Sequence, residues 1–254
     1  MSTTAPRPDS AHYDDENLNY ADYWTSRTYE HQAEVMAVRR LLRGHAFEHA
    51  ADIGGGYGRL SVVLADYARQ VTLADPSRQQ LSLAASVLAG HPQISTRVMS
   101  ASDLDFADGS VDLAVMVRVL HHLPDPAREL TELHRILRPG GYALIEVASV
   151  AHALNRVRYL LRRQPVSLAP VDIRTSQARH EGGIPFVNHH PATVITQLEA
   201  TGLRLERTLS VSNLRHPLVI RLLPRPVLLG VERVCQEPLA PALFGPSIFL
   251  LLRK

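Results

Sequence analysis

Apolar residues recur with two different periods along this chain of 254 residues. Over 25–43, Val35, Val38, Leu41 and Leu42 fall at helical spacing and Gly44 follows as a stop. From there the period alternates. Short apolar runs at 47–53, 70–74, 94–99, 111–119 and 142–148 predict strands. Between them, 60–68, the stretch from the cap residue Ser77 to 88, and the stretch opened by Asp125-Pro126 and ended near 137 by Pro139-Gly140-Gly141 predict helices. The run at 111–119 is nearly all apolar, the pattern of a strand buried on both faces. Strands alternating with helices require right-handed crossovers and a parallel sheet. Ligands of such sheets bind beyond the carboxyl ends of the strands, at the topological switch point.

Residues 149–190 interrupt the alternation with one arginine-rich helix at about 150–163 and a long irregular stretch, read as a lid over the sheet edge. The pattern resumes with a helix at 191–200, a strand at 203–212, a Pro-punctuated helical region to about 237 and a last strand near 247–252. The expected organisation is an N-terminal arm and helical flap over 1–43, then one α/β domain over 44–254 carrying the lid or substrate insertion at about 149–190.

Composition narrows the function classes. With 45% hydrophobic and 20% charged residues, wholesale disorder is excluded. A net charge of +2 argues against a nucleic-acid binder working by counterion release. The single cysteine, Cys235, permits no internal disulfide and no multi-cysteine zinc cluster, and no metal is expected. The polar N-terminus shows no secretory signal and no apolar run reaches the length of a membrane span, so a cytoplasmic protein without integral membrane association is expected. There are 26 arginines and one lysine, Lys254; a bias this complete reads as codon usage, so no arginine is functional on that ground alone.

The sharpest signal is Asp52-Ile-Gly54-Gly55-Gly56-Tyr57-Gly58, directly between a strand and a helix. Glycines there admit left-handed backbone and let a ligand approach the main chain, and helix N-terminal amides favour an anionic group. Arg59 stands where a dinucleotide fingerprint needs its third glycine, and no lysine follows to make a P-loop. Asp75 ends the second strand, where its carboxylate can accept hydrogen bonds from both hydroxyls of a ribose. Asp103 follows the third strand with Leu104, a pair suited to an adenine amino group and ring face.

The sequence resembles the class I S-adenosylmethionine-dependent methyltransferases, in the branch that holds quinone C-methyltransferases and many natural-product O- and N-methyltransferases. The likeness runs through ADIGGGYGRL (51–60), VTLADPS (71–77), ASDLDFADGSVDLAVMVRVLHHLPDP (101–126) and ELHRILRPGGYALIE (132–146). It implies a Rossmann-like, mostly parallel seven-stranded sheet with flanking helices, its last strand antiparallel and the lid inserted before the sixth strand. It also implies S-adenosyl-L-methionine as cofactor. On that resemblance Gly54, Gly56 and Tyr57 lie against the methionine part, Asp75 and the adjoining Pro76 at the ribose, and Asp103 and Leu104 at the adenine. The main chain at Val117 and Arg118 meets the methionine amino group. Gly55 stands where many relatives have cysteine or alanine, a change expected to be harmless.

Methyl transfer from a sulfonium is an in-line displacement, so alignment is the protein's main contribution. A hydroxyl acceptor gains from a base, and His121 and His122 follow the fourth strand as the catalytic candidates, not separable by sequence. His189 and His190 in the insertion, and Tyr23 in the aromatic N-terminal stretch, are candidate substrate contacts; Arg27 is a candidate partner for the methionine carboxylate. The expected activity is transfer of a methyl group to a small-molecule acceptor at oxygen with histidine assistance. The alternatives are C- or N-methylation of a quinone-like or amine acceptor, or a cofactor-binding protein without catalysis. No nucleic-acid partner is expected, and a homodimer is compatible with these features.

Overall fold

The computed structural model describes residues 27–180 and 184–254. In chain order the elements are α1 (Thr28–Leu41), β1 (Phe47–Ile53), α2 (Ser61–Leu64), β2 (Ala68–Asp75), α3 (Arg78–Leu88), β3 (Ile94–Val98), β4 (Val111–Met116), α4 (Ala127–Ile136) and β5 (Leu137–Ala148). The insertion then contributes α5 (Ala153–Leu161), β6 (Val171–Asp172), α6 (Ser176–His180) and β7 (Val187–Asn188). The chain closes with α7 (Pro191–Ala200), β8 (Arg204–Val211), α8 (Pro217–Leu222), α9 (Arg225–Cys235) and β9 (Ser247–Arg253).

Seven strands make one sheet in the order β3-β2-β1-β4-β5-β9-β8. The pairs from β3 to β5 are parallel, and β9 runs antiparallel to both β5 and β8. This is the expected Rossmann-like sheet with its last strand reversed. The order turns outward in both directions from β1 and β4, and the glycine loop after β1 lies at that switch point.

Two-residue alternation sends side chains to opposite faces. Ala114 and Met116 of β4 and Ile248, Leu250 and Leu252 of β9 face one layer with Leu130, Leu133 and Ile136 of α4 and Val194 and Leu198 of α7. Leu113 and Val115, with Phe249 and Leu251, face the other layer with Ala33, Ala37, Val38 and Leu41 of α1. Helix α1, expected as part of a flap, is therefore a layer of the core.

Three local expectations shift for visible reasons. The helix over 60–68 shrinks to α2 because β2 already starts at Ala68, and the Phe47 N–H takes the Tyr67 carbonyl at 2.8 Å. Pro139-Gly140-Gly141 does not separate helix from strand; β5 begins at Leu137 and absorbs the triplet in a register shift against Val111–Leu113. The single lysine closes the end of α4 here, Lys254 Nζ donating to the carbonyls of His134 (2.7 Å) and Leu137 (2.8 Å), a cation at a helix C-terminus. The insertion is more ordered than an irregular stretch: β6 and β7 form a small antiparallel sheet. The insertion also returns to its own base, with the His189 N–H on the Ala148 carbonyl (2.8 Å) and the Val150 N–H on the His189 carbonyl (2.9 Å). Among the described residues no helix is long and apolar enough to cross a membrane.

Candidate functional site

The loop after β1 is stitched to the end of β2, the N–H groups of Gly54 and Gly55 both donating to the Ala74 carbonyl at 2.7 and 3.3 Å. Gly54 has φ +67°, and a Cβ there would stand 2.5 Å from Val119 Cγ2, so the loop presses directly on the segment after β4. At Gly55 a Cβ would meet Leu73 and come within 2.6 Å of Asp52 Oδ2. In this chain the glycine leaves the space behind the loop to the Leu73 side chain and the Asp52 carboxylate. Asp52 is buried and accepts the Ser61 hydroxyl at 2.6 Å. Burial pushes its carboxyl up to about 6, against the pull of Ser61 and Arg59.

Asp75 organises its own surroundings. Its Oδ2 accepts the Gly56 N–H at 2.8 Å and its Oδ1 the Ser77 N–H at 2.9 Å, while Ser77 caps α3 by accepting the Gln80 N–H at 3.1 Å. Pro76 and Tyr57 flank these groups half-buried. The Met99 N–H donates to the Asp75 carbonyl at 3.2 Å, drawing the turn after β3 alongside. On that turn Asp103 is exposed and Leu104 buried; the Leu104 N–H is held by Glu132 (3.2 Å) and its carbonyl by Arg135 (2.8 Å).

The segment after β4 leaves the sheet early because Val117, buried, is followed by Arg118 in a left-handed conformation, φ +65°. Glu146 Oε2 accepts the Arg118 N–H at 3.1 Å. Glu146 is entirely buried; burial raises its pKa and the Arg118 charge opposes the rise. The Arg118 guanidinium lies 4.0 Å from Glu34 Oε1, and Arg59 Nη2 sits 2.6 Å from Glu34 Oε2. Arg27, at the N-cap of α1, shares an electropositive corner with Arg118 and Arg215, balanced by Glu30 and Glu146. Arg27 and Arg118 are candidates of the sequence reading, whereas Glu34, Glu146 and the ion pair of Arg59 with Glu34 are not.

His121 and His122 follow on a single 3-10 turn, ring centroids 3.9 Å apart, with Phe186 of the insertion 4.5 Å from His121. His122 Nδ1 lies 3.0 Å from the Pro185 carbonyl. A carbonyl only accepts, so Nδ1 carries the proton and Nε2 of the neutral ring is the basic nitrogen. Burial brings His122 down to about 4, against the raising effect of the carbonyl. Burial, then His122 and Arg118, holds His121 well below its ordinary value. Both rings are neutral at pH 7. The second histidine pair has other work: His189 is buried with Nε2 donating to the Leu120 carbonyl (2.9 Å), and His190 caps α7 by accepting the Ala192 N–H at 3.3 Å. In this structure both histidines hold the insertion and its flank. Tyr23 lies outside the described residues. Pro185 and Phe186 carried no local signal of their own and are brought in only by the fold.

Residues 51–145 match the family model described as a methyltransferase domain. A solved S-adenosylmethionine-dependent methyltransferase of Thermotoga maritima, a possible histamine N-methyltransferase, shares the fold with a TM-score of 0.60 at 19% identity, over 92% of this chain and 94% of that one. The chain therefore carries a methyltransferase domain at 51–145 and has the fold of the S-adenosylmethionine-dependent methyltransferases. The ubiquinone/menaquinone biosynthesis C-methyltransferase of Rubrivivax gelatinosus is 32% identical over 102 residues, 40% of each chain. The O-methyltransferase of Aspergillus sclerotiorum is 31% identical over 166 residues, 58% of this chain and 62% of that one. The chain thus spans less than two thirds of these curated relatives, and the three names differ in the atom methylated.

A methyltransferase domain on this fold implies S-adenosylmethionine as cofactor, and the residues present fit it. Gln80 Oε1 is buried with no protein partner among the described residues, 3.8 Å from where a Cβ of Gly56 would stand; a ligand hydroxyl or amine would satisfy it. Asp75 and Asp103 are acceptors suited to a nucleoside, and the Arg27, Arg118 and Arg215 corner suits a carboxylate.

Proposed function

We propose that the protein transfers a methyl group from S-adenosylmethionine to a small-molecule hydroxyl, with His122 taking the proton. The observation that carries this reading is the His122 tautomer, fixed by the Pro185 carbonyl with the basic Nε2 on the other side of the ring. When bound, the cofactor supplies an electrophilic methyl carbon on a sulfonium. Asp75, Asp103 and Leu104 bind its nucleoside end, Pro76 and Tyr57 flank it, and Gly54 and Gly56 let the main chain close on it. The Val117–Arg118 main chain meets the amino group, and Arg27 the carboxylate. Leu120, His121 and Phe186 exclude water around the acceptor. The insertion at about 149–190 forms the acceptor's side of the pocket and acts as the lid of the domain over 44–254. The site of action is cytoplasmic.

A second reading rests on the same ring. A histidine brought down to about 4 is unprotonated at neutral pH but a weak base, which suits an acceptor that needs little deprotonation, such as an amine or an enolised quinone-like carbon. The test is transfer of labelled methyl into a panel of phenols, amines and reduced quinones, with wild type, Asp75→Ala and His122→Asn. Asparagine keeps a donor for Pro185 and lacks Nε2. Hydroxyl labelling that His122→Asn lowers by about 100-fold or more in kcat, with cofactor affinity nearly unchanged, supports the first reading. Labelling of an amine or carbon at wild-type rate in His122→Asn supports the second. Label in no acceptor overturns both.

A further inference from the structure

Helix α5 buries none of its residues. Leu154, Val157, Leu160 and Leu161 recur at helical spacing on one side of it, the last two 76% and 79% exposed. At 100° per residue, Arg156 and Arg158 fall on the two margins of that stripe. Helix α8 also buries nothing and carries Leu218 and Leu222, 62% and 77% exposed. The two helices start close together: burial and then the charge of Arg215, just ahead of α8, bring His152 at the N-cap of α5 down to about 4. Arg215 in turn lies within electrostatic reach of Arg118 and Glu146. Val150, just ahead of α5, is bonded to His189, which in turn holds the Leu120 carbonyl next to His121, so the α5 face starts beside the candidate site.

The charge around them has one sign. From 150 to 180 there are six arginines and one acid, Asp172, which is paired with Arg174 at 2.7 Å. From 213 to 235 there are four arginines and one acid, Glu232, which is buried. A second copy of the chain would set these arginines against their own counterparts, a repulsive arrangement. An anionic surface complements them. Arginines at the margins of an apolar stripe can lay their stems along acyl chains and keep their guanidinium groups among headgroups. We propose that the α5 and α8 faces dock this protein reversibly on anionic lipid bilayers, beside the mouth of its site. The docking does not depend on the methyl-transfer reading.

The test is co-sedimentation of the full chain with vesicles of phosphatidylcholine alone or containing about 30% phosphatidylglycerol. Binding to the anionic vesicles should be at least about tenfold stronger and should weaken in high salt. Leu160→Ser with Leu161→Ser should lower partitioning by at least about tenfold. The melting temperature should stay unchanged, because neither side chain is buried. Arg156→Gln with Arg158→Gln should remove part of the anionic preference. No binding to anionic vesicles would overturn the proposal, as would binding that survives the leucine pair. A solution dimer that the leucine substitutions dissociate would assign the face to a second copy and overturn it equally.

Discussion

Asp52 offers a test in which the sign of the effect depends on pH. It is buried behind the glycine loop with the Ser61 hydroxyl at 2.6 Å, and burial pushes it up to about 6 against the pull of Ser61 and Arg59. A carboxyl whose folded pKa is raised contributes stability that is full below the unfolded pKa and lost as pH rises through the folded one. From an unfolded value of 3.8 to about 6 the loss is complete by neutral pH and amounts to about 3 kcal/mol. About 1 kcal/mol of it has been lost by pH 4.5, leaving about 2 kcal/mol between pH 4.5 and 7.5. Asp52→Asn removes the titration and keeps an acceptor for Ser61. The amide also buries two donors, at a cost on the order of 1–3 kcal/mol, but that cost is the same at both pH values. The difference between the two pH values is therefore the quantity to read. Urea unfolding of both proteins at pH 4.5 and 7.5 should show the variant gaining about 2 kcal/mol relative to wild type on going to the higher pH. Parallel pH dependence would refute the reasoning, since it would mean that Asp52 is ionised in the folded protein without penalty.

Two further outcomes follow from contacts at the edges of the site. Tyr29 donates to Glu232 (2.8 Å) and accepts the Leu214 N–H (3.1 Å), so Tyr29→Phe should cost about 1–3 kcal/mol, read as a lower melting temperature; an unchanged melt would show the bonds are replaced by water. Gly54→Ala, at φ +67° and against Val119, should raise the cofactor Kd at least about tenfold by calorimetry and cost about 1–2 kcal/mol from the backbone alone. Adding Val119→Ala should recover the steric part and leave the backbone part; full recovery would deny the left-handed conformation its cost.

Elements were legible wherever one residue pattern decided them. The runs at 47–53 and 191–200 gave β1 and α7 with no change of boundary, because a glycine cluster directly after one and a proline at the first helical position of the other are local signals. The run at 111–119 overshot, because β4 ends where Arg118 turns left-handed, and that turn is held by Glu146 from another strand. Glycine and acidic positions of the candidate site could be read because each sits at a strand end in register with the next. Its charged floor could not, since Arg59 meets Glu34 across 25 residues of sequence and Arg118 meets Glu146 across 28. Glu34 did leave one trace: it lies on the apolar side of α1, beside Ala33 and Ala37, where a charge needs a partner.

That floor bears on which part of the site moves. Glu34 ties α1 to Arg59 at the glycine loop and approaches Arg118 after β4, and both of its carboxylate oxygens are engaged away from solvent. Tyr29 and the Gln236 side chain, which donates to the Ala33 carbonyl at 3.0 Å, bind the same helix to α9. Lifting α1 would break a buried ion pair, a loss on the order of 3–5 kcal/mol, together with these hydrogen bonds. The insertion is built the other way. Helices α5 and α6 bury none of their residues, and the insertion holds to the sheet through His189 and Val150 at its base and His122 at its tip. Motion follows the elements with few buried contacts. The energetics therefore favour a rigid floor to the site, α1 included, with opening confined to the insertion, and the Pro185–His122 contact makes the His122 tautomer sensitive to whether that insertion is closed.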